Sequence, residues 1–153
     1  MLEGIKFRPL SQQHVDYLWP RLRKYDKQEL SFCGYDDSNY QKLRTVPTEM
    51  ICALDRGTPI CAWGHTTYLD ALRFGFFGTD GVRKRWRAIT LIAQCYIRNV
   101  LAQEFPKVGM IWVWDGHKQS VRWITNHLGF KHHGHIYEKN GKRFLILRRG
   151  IYV

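Results

Sequence analysis

The chain has 153 residues and a mass of 18.2 kDa, a size that predicts one domain over residues 1–153. Apolar residues make up 44% and aromatics 14%, which excludes global disorder; no apolar run approaches the ~18 residues of a membrane helix, and the start MLEGIKFRPL lacks a secretory apolar stretch, so a soluble protein kept inside a cell is expected. The net charge of +11 belongs to one half, since residues 1–82 hold ten Lys/Arg and ten Asp/Glu whereas residues 83–153 hold fourteen Lys/Arg against Glu104, Asp115 and Glu138.

A field of that sign attracts phosphates, whether in a nucleotide-containing cofactor, a nucleic acid or an anionic surface. Cys33, Cys52, Cys61 and Cys95 form no CxxC pair and no zinc-finger spacing with histidine. They read as four reduced thiols, most of them buried apolar fillers.

Ile5, Phe7 and Leu10 begin a short strand. Ser11 offers an N-cap to a helical spacing of Val15, Leu18, Trp19 and Leu22, which Pro20 interrupts. Because Pro is tolerated only in a first turn, the pattern predicts a turn up to Trp19 and a helix restarting with Pro20 and running towards Leu30. Cys33 to Tyr40 is polar and turn-rich, and a second short helix is expected near Gln41 to Leu43.

Met50 to Leu54 and Ile60 to His65 read as hairpin partners across the turn Asp55-Arg56-Gly57-Thr58-Pro59. Leu72 to Phe77 is a third strand, with Gly75 marking a bulge or a close backbone approach. After Gly78-Thr79-Asp80-Gly81 the longest helical pattern begins near Arg83. Trp86, Ile89, Ala93, Tyr96, Ile97, Val100 and Leu101 recur at three- and four-residue intervals until Pro106. Cys95 falls on its expected core-facing side, with no partner to activate it.

Met110 to Trp114 is a central-type strand. Gln119 to His127 reads as a second sheet-covering helix, with Gly129 as its C-cap, and a hairpin follows from Lys131 to Leu147 around Asn140-Gly141. The resulting order, β-α-α-β-β-β-α-β-α-β-β, describes a mixed α/β (α+β) sheet with helices on its faces.

Functional weight falls on residues 77–89. Arg83, Lys84, Arg85 and Arg87 cluster where a helix presents unpaired N–H groups and the positive end of its macrodipole, at a cost of roughly a few tenths of a kcal/mol each. A pyrophosphate there would offset that cost. The bland alternative is a basic solvated helix face.

Element order and junction together resemble the GNAT superfamily of acyl-CoA-dependent N-acetyltransferases, whose pyrophosphate loop reads R/Q-x-x-G-x-G/A. Arg83 matches its first position and Ala88 its last, while Trp86 stands at the central glycine. Gly129-Phe130 matches the family's Gly-Phe pair. A narrower likeness runs through Arg83 to Leu91, the W-V-W strand, the Ser-x-Arg-Trp helix and the final Asn-Gly hairpin. These are similar to the small internal virion protein of podovirus-type phages, itself GNAT-like, which implies host cytoplasm or virion interior as the location.

The resemblance implies acetyl-CoA as cofactor. The strands before the loop and after the long helix would splay, Phe76 and Phe77 would line the pantetheine arm, and Arg83, Lys84, Arg85, Trp86, Arg87 and Ala88 would surround the phosphates. Trp86 either turns inward as core, the reading its place in the apolar series favours, or obstructs the loop.

The family's tyrosine acid corresponds to Thr125, which cannot donate a proton near neutral pH. For a general base the candidates are Asp115, His117 and His65, each with a structural alternative; for Asp115 that is a cap on the following helix or turn. His132, His133 and His135 lack an acidic or thiol companion, so no metal site is expected.

Two functions follow. One is acetyl transfer to an unknown amine of a small molecule or protein. The other is a non-catalytic virion protein contacting nucleic acid or virion partners through its basic second half.

Overall fold

The computed structural model describes residues 2–44, 49–104 and 108–150; Pro106, the expected end of the long helix, lies outside them. In chain order the elements are β1 (Ile5–Pro9), α1 (Gln12–Leu18), α2 (Lys24–Phe32), β2 (Glu49–Asp55), β3 (Thr58–Tyr68), β4 (Ala71–Gly78), α3 (Gly81–Lys84), α4 (Trp86–Gln103), β5 (Val108–Trp114), α5 (Lys118–His127), β6 (Lys131–Lys139) and β7 (Lys142–Gly150). The strands form one seven-stranded mixed sheet of order β1-β2-β3-β4-β5-β7-β6, the mixed α/β architecture that the hydrophobic periodicities predict. The described residues divide into two compact units.

The first unit comprises residues up to Thr66 together with Gly75–Ala88. In it, β1, β2 and β3 form an antiparallel meander, with Cys52 opposite both Arg8 and Ala62. Arg56 and Gly57 adopt φ of 49° and 85°, the left-handed pair that a two-residue hairpin of the primed type needs. Val15, Leu18, Trp19 and Leu22 pack with Met50, Cys52, Ala62 and Phe77 in its core.

Ser11 caps α1 reciprocally with His14. Pro20, however, does not start the next helix. It sits in a 3-10 turn over Trp19–Arg21, and Leu22 and Arg23 are extended, at ψ of 146° and 145°, before α2 begins. The expectation missed this because a ring that suits a helix's first turn suits a 3-10 turn equally well.

The second unit comprises Thr67–Phe74 and residues from Ile89 onward. In it, β4 and β5 run parallel, paired at Leu72↔Gly109 and Arg73↔Met110. β5 continues to Trp114, and its partners there are those of β7, through Trp114↔Phe144. Leu72, Phe74, Val113 and Leu147 pack against Ile97, Val100 and Leu101 of α4 and Ile124 of α5. The two helices are also joined by Trp123 Nε1 donating to Thr90 Oγ1 at 2.9 Å, which gives the buried Thr90 hydroxyl its partner.

Gly129, at φ 79°, ends α5 as expected, with the Phe130 N–H reaching back to the Ile124 carbonyl at 3.4 Å. Asn140 and Gly141, at φ 52° and 75°, form the expected hairpin turn. Cys95, by contrast, is exposed. Two residues from buried Ile97 along an α-helix is about 200° of rotation, so the thiol faces away from the core.

Among the described residues no helix is long and apolar enough to cross a membrane.

Candidate functional site

All but the last residue of the junction predicted from the sequence lies in the first unit. β4 ends at Gly78, whose N–H donates to Asp26 Oδ2 at 2.8 Å and whose carbonyl accepts from the Arg23 N–H at 2.9 Å. Asp26 is only 5% exposed. It is held by Arg23 through two bonds of 3.0 Å, Nε to Oδ2 and Nη2 to Oδ1. A buried carboxylate so paired clamps the start of α2 to the end of β4. Its partner's guanidinium also lies 5.8 Å from the Phe76 ring.

Downstream the backbone is tightly used. The Thr79 N–H donates to the Ile60 carbonyl at 2.8 Å, Val82 to Thr79 at 3.2 Å, Arg83 to Asp80 at 3.0 Å and Arg85 to Val82 at 3.0 Å. The Gly81 N–H donates to Thr79 Oγ1 at 3.1 Å. Arg85, at φ −121° and ψ 21°, breaks the helix, so the single helix expected from Arg83 is two: α3 and then α4. The amides of Arg87 and Ala88 therefore lie in the opening turn of an 18-residue helix, where helix geometry supplies no acceptor within that helix. No acidic residue stands in the first turn of α3 or α4.

The four cations part company here. Arg83, Lys84 and Arg87 are exposed. Arg85 is turned away, with Nη2 donating to the Glu3 carbonyl and Nε 3.7 Å from Asp55 Oδ2. It ties the break to the β2–β3 turn and leaves three cations at the helix start.

Trp86 is 48% exposed, which overturns its reading as core. As the first residue of α4 its Cα–Cβ bond tilts towards the helix N-terminus, so the indole projects past the helix end, with the Arg87 guanidinium 5.6 Å from its ring. The apolar stripe of α4 starts instead at Ala88 and Ile89, both 2% exposed.

Phe77 is 4% exposed and its ring belongs to the core, while Phe76, on the other face of the strand, is half-buried. A Cβ built on Gly75 meets nothing within 4 Å, whereas one on Gly78 would lie 2.8 Å from Val82 Cγ2 and 3.2 Å from the Ile60 carbonyl. Gly78 is thus required by packing against β3 and α3, and Gly75 faces open space.

The base candidates lie apart in the chain. His65 is half-buried on β3, opposite Glu49. In the second unit, Asp115 is half-buried, with Oδ2 3.8 Å from Arg143 Nε and its N–H on the Arg143 carbonyl at 3.0 Å. His117, not Asp115, is the N-cap of α5. It is 2% exposed, Nδ1 accepts from the Ser120 N–H at 3.5 Å, and Nε2 lies 2.9 Å from Ser120 Oγ.

His132, His133 and His135 are exposed on β6, and no group of three His, Cys, Asp or Glu suited to a metal occurs among the described residues. The Arg23–Asp26–Gly78 clamp was missed by sequence reasoning. Its only trace there is an Arg and an Asp three residues apart, a spacing common on solvated helices.

Neither a protein-family model nor a curated protein matches the sequence. Solved structures do match its fold. A GNAT-family acetyltransferase from Bacillus anthracis superposes with a TM-score of 0.69 at 8% identity, covering 99% of this chain and 97% of that one. Ard1 from Thermoplasma volcanium gives 0.70 at 12% identity, covering 97% and 98%. AAC(6')-Ib, solved in complex with paromomycin and acetyl-CoA, gives 0.71 at 9% identity, covering 97% and 94%. The fold of this chain is that of the GNAT N-acetyltransferases.

Proposed function

We propose that this chain binds acetyl-CoA in the manner of an acetyltransferase, with the diphosphate of the carrier on the first turn of α4. The observation that carries the reading is the backbone there: every amide from Thr79 to Arg85 named above is committed, and those of Arg87 and Ala88 open the long helix. Such amides, ringed by the exposed Arg83, Lys84 and Arg87, suit a doubly charged phosphate ester.

Within this arrangement Gly75 and Phe76 would border the pantetheine arm, while Phe77 would contribute backbone only and Arg85 would hold the loop through Asp55 and Glu3. Bound there, acetyl-CoA supplies a thioester whose acetyl group can pass to an amine. The chain's own contribution is positioning. His65, half-buried in the same unit, is the group suited to take the amine's proton. His117 is engaged in starting α5.

Thr125 Oγ1 donates to the Val121 carbonyl at 2.8 Å and is no substitute for a tyrosine acid, so transfer is slow. That same feature favours a second reading, a non-catalytic member of the fold. The phage assignment, with host cytoplasm or virion interior as location, rests on the sequence likeness at Arg83–Leu91, the W-V-W strand and the final hairpin.

Titration calorimetry with acetyl-CoA tests the proposal. Saturable one-site binding is expected, weakened at least about tenfold in Arg83→Glu/Lys84→Glu, which removes two charge-assisted contacts. Absence of binding at millimolar acetyl-CoA, or an unchanged affinity in the variant, contradicts it.

A further inference from the structure

The second unit has a sheet face that its own helices do not cover. Leu72, Phe74, Ile111, Val113, Leu145 and Leu147 turn to α4 and α5, so by alternation and register the half-buried Arg73, Trp112, Ile146 and Arg148 lie on the opposite side, with Met110 buried among them. There, Trp112 is flanked by two tyrosines: Tyr68 edge-on, with centroids 5.3 Å apart at 82°, and Tyr137 tilted by 37° at 4.8 Å. Arg73 lays its guanidinium 4.0 Å over the Trp112 ring and 5.8 Å from that of Tyr68. Tyr68 and Tyr137 remain 37% and 41% exposed.

Cations cluster on this face. Lys131 stands opposite Arg148, and Lys139 and Lys142 close the hairpin beyond Tyr137; Asp70 lies 3.3 Å from Arg148 Nη2.

Rings with exposed faces, a guanidinium plane layered among them and a cationic border are the groups that bind unpaired bases and the phosphates joining them. We infer that this face binds single-stranded nucleic acid, with bases stacking on Tyr68, Tyr137 and the Arg73–Trp112 layer and phosphates lying along Lys131, Lys139 and Lys142. A protein partner fits less well. It would have to bury the cations against a matching acidic surface, whereas a strand brings one negative charge with every base.

The inference is independent of the acetyl-CoA site in the first unit, and the test keeps the two apart. Fluorescence anisotropy of a labelled 15-nucleotide oligothymidylate is measured at low salt with the full chain and, as a control, with a duplex of equal length. The single strand is expected to bind more tightly than the duplex. Tyr68→Ala and Tyr137→Ala, both at exposed positions, are each expected to weaken it about tenfold through lost stacking.

The exposed Lys142→Ala offers a measurement that does not depend on the aromatic variants folding. It is expected to make the salt dependence shallower by about 0.7 in log–log slope, the value for one phosphate contact on a single strand. Arg83→Glu/Lys84→Glu should leave this binding within twofold. No binding at low salt, equal affinity for the duplex, or an unchanged affinity in the tyrosine variants together with an unchanged slope in Lys142→Ala overturns the inference. So does sedimentation showing that the face instead joins two copies of the chain.

Discussion

Asp26 shows how much one side chain can organise. With 5% exposure and three bonds, two from Arg23 and one from the Gly78 N–H, it couples the start of α2 to the strand end from which the candidate site springs. Removing it strands a half-buried guanidinium and a buried amide. Asp26→Ala should lower stability by about 3 kcal/mol, read as a lower urea midpoint at unchanged slope; a loss below about 1 kcal/mol would show the pair to be solvated.

Trp86 is the residue where the sequence misled, because spacing places it in phase with Ile89 and only its position at a helix end sends it outward. Its exposure yields a second expectation: acetyl-CoA should change tryptophan emission, and Trp86→Phe should remove most of the change. The thiols give a third. Burial pushes Cys52 up to about 12 and raises Cys61 as well, so neither forms thiolate near neutral pH, while Cys95 is exposed. Ellman's reagent followed by mass spectrometry should label Cys95 first and leave Cys52 and Cys61 unmodified until the chain unfolds; early labelling of Cys52 would contradict the packing of α1 on β2.

Among the elements, those with local chemistry of their own were legible. Asn140-Gly141 and Gly129 demand left-handed backbone, and the unbroken apolar run Met110–Trp114 marks β5 as a central strand. What could not be read was how an element ends against its neighbours. The break at Arg85 depends on Arg85 reaching Glu3 and Asp55, and the 3-10 turn at Pro20 depends on Arg23 reaching Gly78. These are contacts between residues far apart in the chain, and no periodicity reports them.

Gly78 belongs to this level. A methyl group there meets Val82 Cγ2 at 2.8 Å, Cys61 Cβ at 3.1 Å and the Ile60 carbonyl at 3.2 Å. Gly78→Ala should therefore displace α3 and cost about 1–3 kcal/mol, whereas Gly75→Ala, facing open space, should cost well under 1 kcal/mol. Thermal midpoints distinguish the two, and an equal loss in both would refute the packing explanation.

For the whole molecule, the apolar periodicities were enough to indicate a mixed sheet with helices on its faces, and the resemblance of the element order and the 77–89 junction to the GNAT superfamily supplied the rest, although no family model matches the sequence. The asymmetry of charge was legible too, but its meaning was not. Of the cations in the basic half, the structure sets Arg83, Lys84 and Arg87 around the start of α4, and Lys131, Lys139 and Lys142 on an aromatic sheet face. One excess thus divides between the opening turn of a helix and a sheet face. The stretch around residues 77–89 could be singled out in the sequence but its geometry could not, since composition cannot show that Arg85 is engaged with Asp55 or that His117 is buried as a cap.

The central claim is that the opening amides of α4 receive the diphosphate of an acyl carrier, and a crystal soaked with acetyl-CoA addresses it most directly. The account predicts diphosphate density within hydrogen-bonding distance of the Arg87 and Ala88 amides, with Arg83 and Lys84 drawn towards it. A carrier ordered elsewhere on the molecule, or an α4 start still bare at saturating acetyl-CoA, would contradict it.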